Sequence, residues 1–395
     1  MSTRFTDEDR RARLVARHHL ARTASTVNDA VRDIVALHSS DPASPYLASW
    51  ARVDGFRSHD LDRELYETRT LWRLHAMRRT LFVVHTVDGA VFDAGAGRAV
   101  AISERRRLGQ WLAKEMDGGA AAELTGRLEL AIIEILTSGG EKLIKELTAE
   151  LPALRTEITV GSGRWSGRAS ISSRLLYILA MEGKIVRTRP AGTWRSSQHN
   201  WALTENWFGE VPTEIPPEQG RSELLARYLG RYGPVTLTDI RWWTGWTARV
   251  AREALASAST TTVRLDSGAD GFIARGDGDP PQPAYASVAF LPGLDSTPMG
   301  WKERTWYLGQ QGGPLFDRNG NIGPSIWWGG RTVGGWGQTA DGRVVFRLFE
   351  DIGASGAESV AAEADRLTGW LEGEVVTPRF RTPLEVELAR GIDRV

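Results

Sequence analysis

Between residues 125 and 204 apolar side chains recur at the spacing of a helix face, and the breakers among them divide the segment into three helices and a ribbon. Leu128, Ile132, Ile135 and Leu136 form the first stripe, which Gly139-Gly140 ends. Leu143, Leu147 and Leu151 form the second, stopped by Pro152, and Ile171, Leu175, Leu176 and Leu179 form the third, ending near Gly183. An extended run at 184–189, a turn at 190–192 and a returning strand over 194–203 complete the order of a winged helix-turn-helix. In that fold the third helix lies in the DNA major groove and the ribbon touches backbone or minor groove. The order recurs after the Glu/Pro-rich link 213–219. Helices are predicted over 222–232, 236–244 with a Thr cap, and 247–257, followed by a hairpin of 261–265 and 272–275.

The first 110 residues carry weaker signals. Helices are predicted over 10–21, 28–37, 45–53 and 63–77, with a strand over 80–85, an order that fits a third, elaborated unit of the same kind. From Tyr285 the pattern changes to short apolar strands at 288–291, 325–328, 333–336 and 344–349, punctuated by Asn319-Gly320 and Asp341-Gly342 and closed by a helix over 358–370. The expected fold class is α+β, with tandem winged helix-turn-helix units followed by a small antiparallel β-rich, barrel-like C-terminal domain. The expected domains are 1–118, a basic winged unit at 119–210, a further winged unit at 219–280 and the β-rich domain at 281–395.

Composition narrows the chemistry. The 395 residues contain no cysteine, which excludes a disulfide framework, a zinc ribbon, a Cys-ligated cluster and a thiol nucleophile. Residues 1–20 are crowded with Asp and Arg, and no stretch approaches the 18 or so apolar residues of a membrane span, so a soluble cytoplasmic protein is expected. The 49 basic and 49 acidic side chains cancel, against a protein that coats nucleic acid with its whole surface. Charge is nevertheless segregated. Residues 161–200 hold seven basic residues against one acid, and residues 69–107 hold eight Arg against three acids. Residues 201–220 hold four Glu and no base, and residues 351–395 hold nine acids against five Arg. Of the basic residues 44 are Arg, whose planar fork suits phosphate and base edges, although an Arg-rich genome produces the same skew.

No metal site is expected: His18 and His19 are adjacent, no His-Glu-x-x-His occurs, and Asp317 to Asn321 lacks the terminal Glu of a calcium loop. No cofactor is expected either, because Gly161-Ser162-Gly163 with Gly167 stands outside any βαβ unit. The remaining candidate is His38-Ser39-Ser40-Asp41-Pro42, placed by the periodicity at the C-terminal end of the second helix. A plain structural account exists, in which the His meets the helix dipole and Ser-Asp-Pro stops the helix.

Leu37 to Pro42 leading to Tyr46-Leu47 and Trp50-Ala51-Arg52, together with Arg79-Thr80-Leu81, Trp242-Trp243-Thr244-Gly245, Leu291-Pro292-Gly293-Leu294-Asp295, Met299-Gly300, Lys302, Phe316 to Asn321 and Gly334-Gly335-Trp336, resembles the winged-helix DNA glycosylase family of AlkZ and YcaQ. The resemblance spans nearly the whole chain. It implies excision of alkylated or crosslinked purines, which that family performs with a Gln-hydrophobic-Gln or Gln-hydrophobic-Asp triplet. Here the matching positions read His38, Ser39 and Ser40. On this resemblance His38 is the first candidate for holding or activating water, Asp41 the second, through orienting His38 or offsetting charge on the sugar, and Ser40 the third. Arg168, Arg174, Arg187, Arg189 and Arg195 are the expected phosphate contacts, with Arg78, Arg79 and Arg164 alongside. The implied partner is double-stranded DNA, bound by a monomer in one concavity that His38 and the basic segment share. The alternatives are a winged-helix regulator or lesion binder without chemistry, and a protein-docking module.

Overall fold

The computed structural model describes residues 4–161, 163, 166–209, 213–278, 286–310 and 312–391. β1 (Arg4–Phe5) and α1 (Asp7–Arg17) lead into a first unit made of α2 (Val27–Asp33), β2 (Leu37–His38), α3 (Ser44–Trp50), α4 (Ser58–Asp62) with a π-helical turn Arg63–Glu67, β3 (Leu71–His75) and β4 (Leu81–His85). Its sheet is ordered β2-β4-β3. After α5 (Gly89–Phe92) and α6 (Arg98–Leu112) the connectivity repeats in α7 (Gly118–Gly139), β5 (Lys142–Leu143), α8 (Ile144–Glu150), an inserted hairpin of β6 (Glu157–Val160) and β7 (Gly167–Ser170), α9 (Ile171–Met181), β8 (Ile185–Pro190) and β9 (His199–Leu203). This sheet is ordered β5-β9-β8.

A third round follows α10 (Thr204–Phe208): α11 (Pro217–Tyr232), a single bridge from Val235 to Phe272, α12 (Leu237–Thr244), α13 (Ala248–Ser257), β10 (Thr260–Leu265) and β11 (Asp270–Ala274). Here β1 adds in parallel to the free edge of β10. The Thr236 hydroxyl caps α12 by accepting from the Asp239 amide, as its position in the sequence predicts. The C-terminal part is an antiparallel sheet in the linear order β12 (Val288–Leu291), β13 (Ser325–Trp328), β14 (Arg331–Gln338), β15 (Val344–Leu348), with α14 (Thr305–Leu308) inserted after β12. α15 (Gly353–Leu371) packs across β12 and β15, and α16 (Pro383–Ala389) packs on β14. No described helix is long and apolar enough to cross a membrane.

Two expectations in the first unit are corrected. The helix predicted over 63–77 is a π-helical turn followed by β3, whose five residues are all buried. Burial on both faces erases the alternation that would have marked a strand. The helix predicted over 28–37 ends at Asp33; Val35 then takes a φ of +66°, and Leu37 and His38 pair with Val83 and Phe82. His38 therefore sits on a strand and not at a helix C-terminus.

One apolar core joins the first unit, α11 to α13 and the C-terminal sheet, while most of the second unit packs around its own core of Leu128, Ile132, Leu175 and Leu179. What fixes the first unit to the C-terminal sheet is polar. Arg52, just past α3, is fully buried and grips Asp295 with two parallel bonds of 2.9 and 2.7 Å. Its other donors reach Thr297 Oγ1 at 2.8 Å, Ala48 O at 2.8 Å and His18 O at 3.0 Å, which satisfies the whole guanidinium. Next along the chain, Ser296 Oγ donates to Ala36 O at 2.6 Å and accepts from the His38 amide at 3.0 Å. Ser44 Oγ donates to Gly293 O at 2.7 Å. Asp295→Ala strands a buried guanidinium and is expected to cost about 3–5 kcal/mol. A urea midpoint unchanged from that of the native protein contradicts this.

Candidate functional site

The pairing of β2 with β4 sets Leu37 and His38 on opposite faces of a two-residue strand. On the His38 side the imidazole meets the Phe82 ring edge-on, with centroids 5.6 Å apart. It lines a cleft of about 520 Å³ whose walls come from the first unit (Ala36, Met77, Arg78, Thr80, Phe82), from α12 (Trp243) and from the C-terminal part (Ser296, Met299, Asn321). No described residue of the second unit lines it.

Nδ1 of His38 faces the Ser40 amide at 3.4 Å, a long hydrogen bond that makes Nδ1 the acceptor and leaves the ring hydrogen on Nε2. Nε2 has no partner among the described residues. Burial lowers the imidazole pKa to about 4, with Asp295 opposing the drop and Arg78 adding to it. His38 is thus a neutral ring presenting an N–H to the cleft. Asp41 is not its partner: the carboxylate accepts from the amides of Ala43 at 3.1 Å and Arg379 at 2.8 Å, pinning the 38–43 turn to the C-terminal segment. Burial raises the Asp41 pKa, and those two amides oppose the rise. Ser40 meets His38 through its amide, and its carbonyl accepts from Arg379 Nη1 at 3.4 Å.

Arg78 also lines a neighbouring cleft of about 990 Å³, bounded by Arg79, Arg107 and Arg221 and by the α12–α13 turn from Thr244 to Thr247. Arg78 and Arg79 occupy the tip of the β3–β4 hairpin with φ of +55° and +66°. Two successive non-glycine residues in the left-handed region cost roughly 1–2 kcal/mol each and mark a tip held for a purpose other than stability. Arg79 and Arg107 share Glu104, at 3.3 and 2.8 Å.

The arginines expected on the second unit are placed elsewhere. Arg168 pairs with Glu115 and Glu157, Arg189 with Glu67, and Arg195 with Glu374. Arg187 is packed inward against Trp201 and beside His75, and Arg174 lies over Trp111. Arg164 lies outside the described residues. α9, expected in a major groove, has eight of its eleven residues buried, and Ser173, Arg174 and Tyr177 make up its one narrow outward face. None of the described residues of the basic segment 161–200 lines the His38 cleft. Arg168, Arg189 and Arg195 thus meet carboxylates from distant positions, which a window along the sequence does not see. The residues that do join His38 at its clefts were only partly signalled: Arg107 belongs to the basic window 69–107, and Trp243, Met299 and Asn321 belong to the motifs that carry the family resemblance.

The three-fold repeat of connectivity and the His38 cleft together describe a modular α+β protein with its candidate chemistry at the junction of modules. The family model for DNA glycosylase AlkZ-like proteins matches residues 31–370, and the chain belongs to that family. Among solved structures, the DNA glycosylase AlkZ of Streptomyces sahachiroi superposes with a TM-score of 0.70 at 19% identity, covering 93% of this chain and 97% of that one. No curated protein matches the chain.

Two outcomes follow from the imidazoles. By NMR, the His38 ring should stay neutral down to about pH 5 with its hydrogen on Nε2; titration near the ordinary histidine value overturns this placement. Burial also lowers the pKa of His18, His75 and His199, the last to about 3. The unfolded chain therefore binds protons below about pH 6.5 that the folded chain refuses, so stability is complete above that pH and is lost as pH falls toward 4. Melting temperatures followed from pH 7.5 to 4.5 check the sign.

Proposed function

We propose that this protein is a DNA glycosylase that hydrolyses the N-glycosidic bond of alkylated purines in duplex DNA, with His38 at the reacting centre. The observation that carries the proposal is the unpartnered Nε2 of a neutral imidazole, opening into a cleft beside Arg78. A purine alkylated at N7 is already a cationic leaving group, so its departure needs little acid. What remains is to hold a water and to tolerate positive charge on base and sugar. An imidazolium in that position would repel both; a ring with a pKa of about 4 does not. In the resting arrangement His38 holds the water as a donor through Nε2–H. The water oxygen bonds to the sugar C1′ as the bond to the purine nitrogen breaks; the bonding pair leaves with the base and neutralises it, and the water's proton passes to solvent. Asp41 and Ser40 act through the turn they build, the first by pinning it and the second by fixing the tautomer of His38.

The three repeated units are proposed to be tandem winged helices, with domains at 1–118, 119–210 and 219–280, and a β-rich domain at 281–395. In this arrangement α13, with only Ala251 and Ala254 buried, offers a wider free face than α9. Double-stranded DNA is the proposed partner of a monomer, gripped along the cleft of Arg78, Arg79, Arg107 and Arg221 and not by the second unit's arginines. A DNA-binding protein without glycosylase chemistry remains the second reading, favoured by one observation: both carboxylate oxygens of Asp41 are engaged by amides, which leaves no free acid beside His38.

Incubation with a duplex carrying one N7-alkylguanine separates the two. A glycosylase leaves an alkali-labile abasic site, at a rate flat from about pH 6 to 8, and His38→Ala reduces the rate by roughly 10²- to 10⁴-fold while duplex binding persists. Absence of base release by the native protein, or full activity in the alanine variant, defeats the assignment.

A further inference from the structure

Arg78, which lines the His38 cleft, and Arg304, which touches its lining residue Met299, make no ion pair among the described residues. Arg78 lies over the ring of Trp242, its guanidinium carbon 4.4 Å from the centroid, and Arg304 lies over the same ring at 4.9 Å. Arg304 is held in place by the protein: Nε donates to Trp301 O at 3.0 Å, Nη2 approaches Met299 Sδ at 3.8 Å, and the guanidinium also covers Phe316 at 5.0 Å. Arg78 makes no hydrogen bond or ion pair among the described residues. After the loss of hydration, the charge that most affects it is that of Arg304, which lowers its pKa further.

Many other arginines find carboxylates from far along the chain, as Arg105 does with Glu129 and Glu182, Arg227 with Asp88 and Arg347 with Glu387. Among the described residues Arg174 and Arg187 also lie on aromatic rings without an acid, but each on a ring of its own, whereas Arg78 and Arg304 share one. The C-terminal end of α12 lies beside Arg78, and the carbonyl end of a helix is worth about half a negative elementary charge. Gly245, which caps that helix with φ +77°, permits the approach, since a Cβ there would stand 3.2 Å from Arg78 Cγ. The hairpin tip and the Trp242 ring thus bring two guanidinia to one indole, near enough for each charge to be felt by the other, with no ion pair to either among the described residues. That arrangement is unfavourable alone and favourable around an anion.

We propose that Arg78 and Arg304, seated on Trp242, form a binding site for a backbone phosphate of the strand whose nucleotide faces His38. The proposal rests on the DNA reading above and deepens it. A phosphate on a polymer is favoured over a free anion because Arg78 lines both clefts at once, so a group bound there is continuous with both. A fixed phosphate sets the depth to which the adjoining sugar enters the His38 cleft. Its negative charge also lies on the side where cationic character develops, which a neutral imidazole does not supply.

The test uses an undamaged short duplex, so that chemistry does not enter it. Affinity is measured by fluorescence anisotropy from about 50 to 200 mM NaCl for the native full chain and for Arg78→Met and Arg304→Met. Each variant is expected to reduce the slope of log affinity against log salt by about 0.9. Arg304→Lys is expected to keep the slope, and Arg127→Met, on α7, to leave it unchanged. Should the methionine variants melt early, Arg304→Gln against Arg304→Lys repeats the comparison of charge. Slopes equal to the native value in both methionine variants overturn the proposal, as does a native protein that does not bind duplex. Inorganic phosphate raising the melting temperature of the native protein and not of the variants, with duplex slopes unchanged, also overturns it in favour of a small-anion site. If the slopes change as expected but no alkylated base is ever released, the phosphate site stands and the glycosylase assignment falls.

Discussion

The buried pair of Arg52 and Asp295 is the constraint on which the candidate site depends. A charge pair removed from water is stabilising only when every donor and acceptor finds a partner, and here the guanidinium does so through bonds to three separate stretches of chain. Because Asp295 begins the turn that carries Ser296 and Met299, the pair fixes one wall of the cleft against the strand that carries His38. Its charge also reaches the imidazole, where it opposes the desolvation that keeps the ring neutral. The pair thus helps set the position of His38, while burial, against the pull of Asp295, sets its protonation. The cost is a network in which no member can be removed without leaving another unpaired.

Electrostatic pairing divides the surface into two kinds. On the second unit Arg168, Arg189 and Arg195 are matched to carboxylates drawn from the turn after α6, the π-helical turn and the C-terminal segment. Beside the His38 cleft the opposite holds, and two guanidinia share an indole ring with no ion pair to either among the described residues. Unpaired like charges at a strained hairpin tip are what a site for an external anion requires, because the binding free energy then comes from relief of a repulsion built into the fold.

The three repeats of one connectivity play different parts. In the second, the third helix is spent on internal packing against α6, α8 and β3. In the third repeat the equivalent helix α13 keeps a free face beside the larger cleft. In the first, the hairpin that follows the third helix supplies Arg78 and Arg79. A common topology therefore does not impose a common use; the exposure of each face decides it.

Much of this order was legible along the chain. Helical stripes, glycine and proline breakers and the Thr236 cap are local properties, and they place α7 to α9, α11 to α13 and the strands of the C-terminal sheet where the structure has them. The motif around His38, and the segments that turn out to clasp it, are equally visible as residues. Strand β3 and the end of α2 were not legible, because burial on both faces removes periodicity and because a positive φ at Val35 leaves no compositional trace. Nor was the charge. A segment's net charge is a sum over neighbours in sequence, whereas a field is a sum over neighbours in space, and only the folded chain brings Glu67, Glu115 and Glu374 to the arginines of the second unit while leaving Arg78 and Arg304 with each other.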